Sequence, residues 1–354
     1  MSLTKFTATD FRCLQKVELE PHDQLNLITG PNASGKTSLL ESLYYLGRGR
    51  SFRSSGNREL IQTGSKSFVL FGAKTQEEQD HRIGLEVAIG ERRIKIDGKN
   101  GSGADLARVF PVQVIDPEIH ELVQGGPELR RRFLDWGVFH VKHSFLDTWR
   151  NYQKALRQRN AALRAGEPDK QIVVWNDAVA LYGETIDQQR QTFLDEFLPL
   201  YASIVSENLS FNAICSYKRG WSPDIGLQQA LLDNFDRDRS FGSTQVGPHR
   251  ADLTLQVHDR RARHRVSRGQ QKMLAAALVI AQSRFVAART DARLVLLVDD
   301  PAAELDRDNR QRLFQMLEDV PAQMFVTALE PADLPWSGRG LMFHVEHGEV
   351  SSLL

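Results

Sequence analysis

The chain has 354 residues, 41% hydrophobic and 25% charged, which is an ordinary globular composition for one large or two modest domains. Lys plus Arg and Asp plus Glu both number 45, so binding to nucleic acid would need a local basic patch. The distant cysteines Cys13 and Cys215 argue against a disulfide framework and a zinc site, and fit a reducing compartment. Without a signal-peptide layout or an apolar run of bilayer length, we expect a soluble cytoplasmic protein with no membrane partner.

The first third of the chain is rich in predicted strands. Short runs that alternate or are continuously apolar, separated by turn residues, occur at 25–28, 68–73, 83–89, 92–97 and 110–117. The runs 83–89 and 92–97 flank Gly90 and predict a hairpin.

A phosphate-binding loop follows the first of these strands. The stretch GPNASGKTS matches G-x-x-x-x-G-K-[ST] and lies between a strand and an apolar helix, as that motif requires. The glycines permit backbone conformations that a side chain would block, and the loop N–H groups can converge on phosphate. Lys36 would supply a cation to the β/γ phosphates, and Thr37 a hydroxyl to Mg²⁺. The candidate ATP-binding residues are Gly30, Pro31, Asn32, Ala33, Ser34, Gly35, Lys36 and Thr37; the alternative is a turn that caps a helix.

The middle of the chain, from about residue 128, is predicted to be helical. Apolar residues spaced by three and four indicate two long amphipathic helices, joined by a break at 164–171 that contains Gly and Pro. The second helix could run about 35 residues, or roughly 50 Å. We therefore predict a helical lid or arm at 126–241, inserted into a β/α head built from 1–125 and 242–354.

Basic residues are concentrated in this helical region. Residues 130–164 contain nine Lys or Arg against two Asp, and residues 260–272 contain six with no acid. Such clusters can bind DNA phosphates without reading sequence. The alternatives are an ordinary solvated helix face or, for 130–132, a structural role. The candidate DNA-binding residues are Arg130, Arg131, Arg132, Arg150, Lys154 and Arg157.

The last third returns to β/α texture. We predict a strand at 251–257, a helix at 269–289, buried strands at 294–298 and 323–328, and a terminal hairpin at 340–350. Asp299 and Asp300 follow the strand at 294–298 directly. Asp299 would be the second Mg²⁺ contact that a phosphate-binding loop needs, and Asp300 would stand beside an attacking water. The alternative is a polar turn that caps the next helix.

The stretch VSRGQQKM opens the predicted helix at 269–289. Ser267, Gly269 and Gln270 can hold a γ-phosphate at a helix N-terminus, or Ser267 can simply cap the helix.

The order of these motifs resembles the ATP-binding-cassette ATPases, including their chromosome-maintenance and repair branch. The resemblance implies an α/β head with a mixed β-sheet, in which Gln113 is the Q-loop residue and Lys36, Asp300 and Gln113 serve catalysis. It also implies that Ser267–Gln270 complete the ATP site of a second subunit, and hence an ATP-dependent homodimer.

Longer stretches resemble one family, the RecF proteins. They are ITGPNASGKTSLLESLYYLGRGRSFR, GGPELRRRFLDWGVFHV, FDRDRSFGSTQVGPHRADL and VDDPAAELD. The resemblance implies a recombination mediator in DNA replication, gap repair and the SOS response. It further implies dimerisation on DNA, a preference for gapped or junction DNA, and partnership with RecR, with RecO in the same pathway.

Three departures from the wider ATPase pattern predict slow ATP turnover, and we expect a weak ATPase that DNA stimulates. Arg268 replaces a glycine of the signature, Asp300 stands where glutamate is usual, and Thr327 stands where a switch histidine is common. Two alternatives stay open: a nucleotide-gated DNA clamp whose hydrolysis is dispensable, and a different ATPase of this class, such as a transporter subunit.

Overall fold

The fold is described by a computed structural model over residues 2–54, 56–76, 79–290, 293–301, 305–331 and 340–353. Its strands are β1 (Ser2–Phe11), β2 (Leu14–Leu19), β3 (Leu25–Thr29), β4 (Ser67–Gln76), β5 (Gln79–Ala88), β6 (Glu91–Ile96), β7 (Lys99–Asn100), β8 (Val112–Ile115), β9 (Ile214–Lys218), β10 (Asp252–Val257), β11 (Arg260–Arg261), β12 (Leu294–Val298), β13 (Ala322–Thr327), β14 (Gly340–Glu346) and β15 (Glu349–Ser352). Its helices are α1 (Lys36–Arg48), α2 (Gly103–Val109), α3 (Glu121–Gln124), α4 (Pro127–Val141), α5 (Phe145–Ala165), α6 (Asp169–Val173), α7 (Asn176–Asn208), α8 (Leu227–Asp233), α9 (Phe235–Phe241), α10 (Arg268–Ala287) and α11 (Arg307–Glu318).

Two compact units share these elements. One is Met1–Ile119 with Ala275–Leu354, and the other is His120–Leu274. The first unit is therefore built from both ends of the chain. The domain limits expected at 126 and 242 stay a prediction.

The first unit contains a largely parallel sheet in the order β15-β14-β3-β13-β12-β8. Strands β3, β12 and β13 are buried along their whole length, as expected for parallel strands covered on both faces. Their continuous apolar runs are why the sequence predicted them. The predicted terminal hairpin is β14 and β15, and β14 extends the sheet by pairing parallel to β3.

A second, antiparallel sheet has the order β2-β1-β4-β5-β6-β7. The predicted hairpin is confirmed, since β5 pairs with β6 from Ile83 opposite Ile96 to Ala88 opposite Glu91. Strands β1 and β2 were not predicted. Their turn contains Arg12 in the left-handed region (φ 53°) and has no Gly or Pro to mark it in the sequence.

Helix α1 is enclosed by the core of this unit. Every residue from Ser38 to Gly47 is buried, which is the pattern of a helix packed on all sides. One hydrophobic cluster joins Leu40 and Leu43 of α1 to Phe6 of the antiparallel sheet and Leu297 of the parallel sheet. The helix that carries Lys36 is thus held in place by both sheets.

In the second unit, α5 and α7 form the predicted helical hairpin. Three contacts run in opposite directions along the helices: the side chains of Ser144 and Gln189 (3.1 Å), Tyr152 beside Gly183, and Arg159 with Asn176 (2.8 Å). Helix α7 has 33 residues, close to the predicted 35. A small sheet, β11-β10-β9, completes the unit, and its strand β9 was not predicted.

Candidate nucleotide site and basic surfaces

The loop between β3 and α1 has the backbone that its sequence pattern predicts. Gly30 (φ 142°) and Gly35 (φ 117°) lie at positive φ, where side chains are strained. A Cβ on Gly30 would lie 2.1 Å from the carbonyl oxygen of Val345 on β14. The fold itself therefore excludes a side chain at Gly30.

Lys36 lies at the first position of α1 and reaches back across the loop. Its Nζ donates to the carbonyl oxygens of Gly30 (2.6 Å) and Pro31 (2.9 Å). Burial lowers the pKa of Lys36, and the nearby carboxylates Asp300 and Asp299 oppose that shift. The ammonium therefore lies close to the loop backbone and to two acids.

Asp299 is the buried acid of this site, with 5% of its surface exposed. One carboxylate oxygen accepts hydrogen bonds from the hydroxyls of Thr37 (3.1 Å) and Thr327 (2.9 Å). Burial raises the pKa of Asp299, while these two hydrogen bonds act in the opposite direction. The structure thus brings the predicted metal residues Thr37 and Asp299 into direct contact.

Asp300 is exposed and has a left-handed backbone (φ 45°). Its N–H donates to the Thr327 hydroxyl at 2.7 Å, so Thr327 bridges Asp299 and Asp300. The sequence singled out Thr327 only as a departure from a family pattern. Residues 302–304 of the segment after Asp300 lie outside the described part of the chain.

Gln113, the predicted Q-loop residue, lies on β8. Its side-chain amide donates to the Oε1 atom of Gln282 on α10 at 2.6 Å, and Gln282 is fully buried. Among the described residues, no hydrogen bond joins Gln113 to Lys36 or to Asp299. Its catalytic role stays a prediction.

A second charged group near α1 was not predicted. Glu41 is fully buried and accepts hydrogen bonds from the guanidinium of Arg12, at 2.8 Å for one of the two, and from the hydroxyl of Ser51. Arg53 lies 3.9 Å from the same carboxylate, and its charge also lowers the pKa of Asp299. The sequence gives no signal for this cluster, because Arg12 and Glu41 are 29 residues apart.

The predicted signature residues open α10, and they belong to the second unit. The Ser267 Oγ accepts from the N–H of Gln270 at 3.3 Å, and the Gln270 Oε1 accepts from the N–H of Ser267 at 2.9 Å. This reciprocal pair is a capping box. Ser267 is exposed, whereas Gly269 and Gln270 are half-buried. The helix-cap alternative is therefore realised within the chain itself.

Several basic residues of 130–164 are used internally. The Arg130 guanidinium is buried against both oxygens of Asp252 (2.8 and 3.3 Å), and Arg131 donates to the carbonyl of Ala251 (2.7 Å). Arg132 is exposed and pairs with Glu128 one turn earlier. The structural alternative for 130–132 therefore describes Arg130 and Arg131.

The exposed cations of α5 form a row that we call the α5 stripe. Positions spaced by three, four and seven lie on one face of a helix, and all of the stripe residues are exposed: Arg150, Lys154, Arg157 and Arg164. Arg150 contacts Asp147 at 3.5 Å. Among the described residues, Lys154, Arg157 and Arg164 form no ion pair.

No helix within the described ranges combines the length and the apolar character needed to cross a membrane.

Comparisons with known proteins show what the chain is similar to. The family model described as the RecF/RecN/SMC N terminal domain matches residues 2–337. The DNA replication and repair protein RecF of Pseudomonas paraeruginosa is 40% identical over 363 residues (99% of this chain, 98% of the relative). The protein of that name from Shewanella oneidensis is 40% identical over 357 residues (99% of each).

Two solved structures match the chain over its full length. The recombination mediator protein RecF with ATP, of the RecFOR pathway, matches with a TM-score of 0.88 and 26% identity, covering 100% of this chain and 98% of that one. An Smc head bound to the C-winged helix domain of ScpA matches with a TM-score of 0.59 and 16% identity, covering 100% and 98%. The predicted ATP-binding-cassette head with a helical addition is confirmed as the fold.

Proposed function

We propose that this chain, which belongs to the RecF family, is an ATP-binding recombination mediator that acts in DNA replication and repair. The observation that carries the proposal is the set of hydrogen bonds joining Thr37, Asp299 and Thr327 beside Lys36. That arrangement is suited to a nucleoside triphosphate and its metal ion. A RecF protein was solved with ATP, which supports ATP as the nucleotide.

The phosphates would be bound by the loop at residues 30–37. Helix α1 is fixed in the core, so its N-terminal N–H groups are held ready for an anion. Lys36 would exchange its bonds to loop carbonyls for bonds to phosphate oxygens. Arg53 adds a second positive charge near Asp299.

Thr37 and Asp299 would hold Mg²⁺. The hydroxyl and carboxylate oxygens are hard ligands of the type this ion prefers, and they lie 3.1 Å apart. When bound, Mg²⁺ neutralises charge on the phosphates. Thr327 orients Asp299 toward Thr37 by its own hydrogen bond to the same carboxylate oxygen.

Hydrolysis would depend on Asp300. Its exposed carboxylate would accept a proton from the attacking water, and the bond from its N–H to Thr327 fixes the backbone that carries it. A carboxylate one methylene shorter than glutamate reaches less far, so we expect slow turnover, stimulated by DNA. ATP would then act mainly as a switch for dimerisation.

Lys36→Met tests the nucleotide site. Loss of a charge-assisted contact of roughly 1.5–3 kcal/mol should weaken binding of a fluorescent ATP analogue about 10- to 150-fold. Lys99→Met, which removes an exposed lysine from β7, is the matched control and should bind normally. Equal affinities for wild type and Lys36→Met would refute the assigned site.

The clamp alternative keeps ATP binding and makes hydrolysis dispensable. Asp300→Asn removes the proposed base and leaves Lys36, Thr37 and Asp299 in place. If cells carrying Asp300→Asn repair DNA gaps as well as wild type, while the purified variant binds ATP without turning it over, the clamp is the correct description. If the variant loses both ATP turnover and DNA repair, the ATPase is favoured.

Dimerisation would complete the ATP site with Ser267, Gly269 and Gln270 of a second copy. Sedimentation velocity with and without ATP and gapped DNA tests this directly. We expect a monomer alone and a dimer with ATP, and a loss of the ATP-bound dimer in Lys36→Met. A wild-type chain that stays monomeric with both ligands would refute the dimer.

The DNA-binding part of the proposal rests on the α5 stripe. We expect sequence-independent contacts with the phosphates of duplex DNA and of gapped or junction DNA. We also expect the protein to act in the cytoplasm during the SOS response, with RecR as its partner and RecO in the same pathway. Lys154→Gln with Arg157→Gln should reduce the slope of log affinity against log salt by about 1.8, since each lost phosphate contact contributes about 0.9. An unchanged slope would remove the stripe from the proposal.

A further inference from the structure

A short hairpin just before α10 carries four arginines within six residues. We call residues 258–265 the arginine hairpin: the turn at His258 and Asp259, strand β11, and the 3-10 turn Ala262–His264. Strand β11 pairs antiparallel with β10, with Gln256 opposite Arg261. His258 (φ 49°) and Asp259 (φ 59°) are both left-handed, which is the geometry of a tight two-residue hairpin turn.

The arginines of the hairpin face solvent. The side chains concerned are Arg260, Arg261, Arg263 and Arg265, all exposed. No Asp or Glu occurs from Arg260 to Lys272. Within the described part of the chain, none of the four forms an ion pair, and the Arg263 Nε donates a hydrogen bond to Nε2 of the neighbouring His264 (2.9 Å). The hairpin therefore carries four arginines against one acid, Asp259, a net charge of +3 with its histidines neutral.

Two of these arginines also line a cavity with a buried third. Arg261 and Arg263 share the cavity with Arg130, Thr254 and Asp252. The Arg130 guanidinium is fixed by Asp252 and by the carbonyl of Gly125 (2.7 Å), so it cannot swing outward. Three guanidinium groups against one carboxylate leave the cavity wall strongly positive. The two exposed arginines that line it, Arg261 and Arg263, can each bind a phosphate with two parallel hydrogen bonds.

The composition of the hairpin distinguishes DNA from a protein partner. Hot spots of protein interfaces are enriched in Trp, Tyr and Arg and lie in packed, desolvated pockets, and of these three residue types the hairpin has only exposed Arg. The only apolar residue of 258–265 is Ala262, which is buried, and the segment has no aromatic ring other than histidine on which a base could stack. The hairpin would therefore contact the charged phosphate oxygens of a DNA backbone and not its bases.

We propose that the arginine hairpin binds the backbone phosphates of DNA, as a second contact surface in addition to the α5 stripe. This inference rests on the proposed DNA-binding function and locates part of it. Arg265 is two residues from Ser267, so DNA held here would lie next to the start of the signature helix. DNA binding at the hairpin could thus affect Ser267, Gly269 and Gln270, which are proposed to contact the ATP of a second copy.

Fluorescence anisotropy with a duplex DNA, titrated from 50 to 200 mM NaCl with ATP present, tests the proposal. Arg261→Gln with Arg263→Gln should reduce the salt slope by about 1.8, so that affinity falls about twelvefold less than in wild type across this range. Arg260→Gln with Arg265→Gln serves as a second variant if the first melts at a lower temperature. An unchanged slope in both variants would overturn the proposal.

Lys95→Gln with Lys99→Gln is the matched control, because it removes two exposed charges from the β6–β7 region of the other unit. Its slope should stay within about 0.5 of wild type, and a loss equal to that of the hairpin variant would show a net-charge effect instead of a site. If wild type does not bind DNA, the proposed function itself fails. If only the α5 variant changes the slope, this inference alone fails. Polyglutamate serves as a probe for an acidic protein partner. If the hairpin variants bind polyglutamate more weakly than wild type but bind DNA equally well, the hairpin binds an acidic protein and the proposal of DNA is refuted.

Discussion

Lys74 is a fully buried lysine in β4, and its replacement by methionine is expected to stabilise the first unit. Its Nζ donates to the carbonyl oxygen of Val109 at 2.9 Å and lies 5.1 Å from the centre of the Phe110 ring. An ammonium has three N–H donors, and the Val109 carbonyl accepts only one of them. Burial therefore lowers the pKa of Lys74 to about 7.

The direction of the pH effect follows from the two pKa values. The folded value, about 7, lies below the unfolded value of 10.5, so the unfolded chain binds more protons between these limits. Stability should therefore rise with pH through this window, by about 1.4 kcal/mol per pH unit, and be flat for this group below pH 7. Lys74 is still half protonated in the folded chain at pH 7, so between pH 7 and 9 its contribution is about 2.3 kcal/mol.

Urea unfolding of wild type and Lys74→Met at several pH values between 6 and 9 measures this contribution. Other titrating groups act equally on both proteins, so the difference between the two curves isolates Lys74. Methionine matches the lysine stem in shape and carries no charge. We expect the variant to be more stable at pH 7 and the difference to shrink as pH rises. A constant difference from pH 7 to 9 would refute the reasoning.

Three further changes probe other parts of the molecule. Thr327→Val removes a hydrogen bond that lowers the pKa of Asp299, so ATP turnover should fall about 10- to 150-fold and the acid limb of its pH profile should move to higher pH; an unmoved limb would contradict this. Ser267→Asp should preserve the melting temperature, because Asp and Ser cap helices equally well, and abolish the ATP-dependent dimer in sedimentation. Asp238→Asn leaves the fully buried Arg159 without its anion partner at 2.7 Å; urea unfolding should show a loss of about 3–5 kcal/mol, and a loss below 1 kcal/mol would show that Arg159 tolerates burial.

The sequence predicted those parts of the site that depend on local pattern. The loop motif places Lys36 and Thr37 at the start of a helix because its two glycines and the following apolar run define strand, turn and helix together. The fully buried strands were identified for the same reason, since a continuous apolar run is their signal. The antiparallel β1 and β2 lack that signal, and only tertiary pairing shows them.

Contacts between distant residues could not be predicted. Thr327 meets Asp299 because β13 lies beside β12 with Val298 opposite Val326, and a single sequence does not give strand order. Arg130 was counted with a basic surface, yet its partner Asp252 is 122 residues away and buries it. The α5 stripe, by contrast, could have been extracted from the sequence by helical spacing alone.

Ser267 shows that a helix cap and a phosphate contact are compatible. A serine hydroxyl has two acceptor positions and one donor. The capping box uses one acceptor position, for the Gln270 N–H, and leaves the donor for an anion. A phosphate at this point would also be favoured by the positive end of the α10 dipole. Aspartate keeps the acceptors, loses the donor and adds a negative charge. Ser267→Asp therefore separates the two roles: a stable monomer that cannot dimerise with ATP supports both, whereas an ATP-dependent dimer would leave Ser267 with the cap alone.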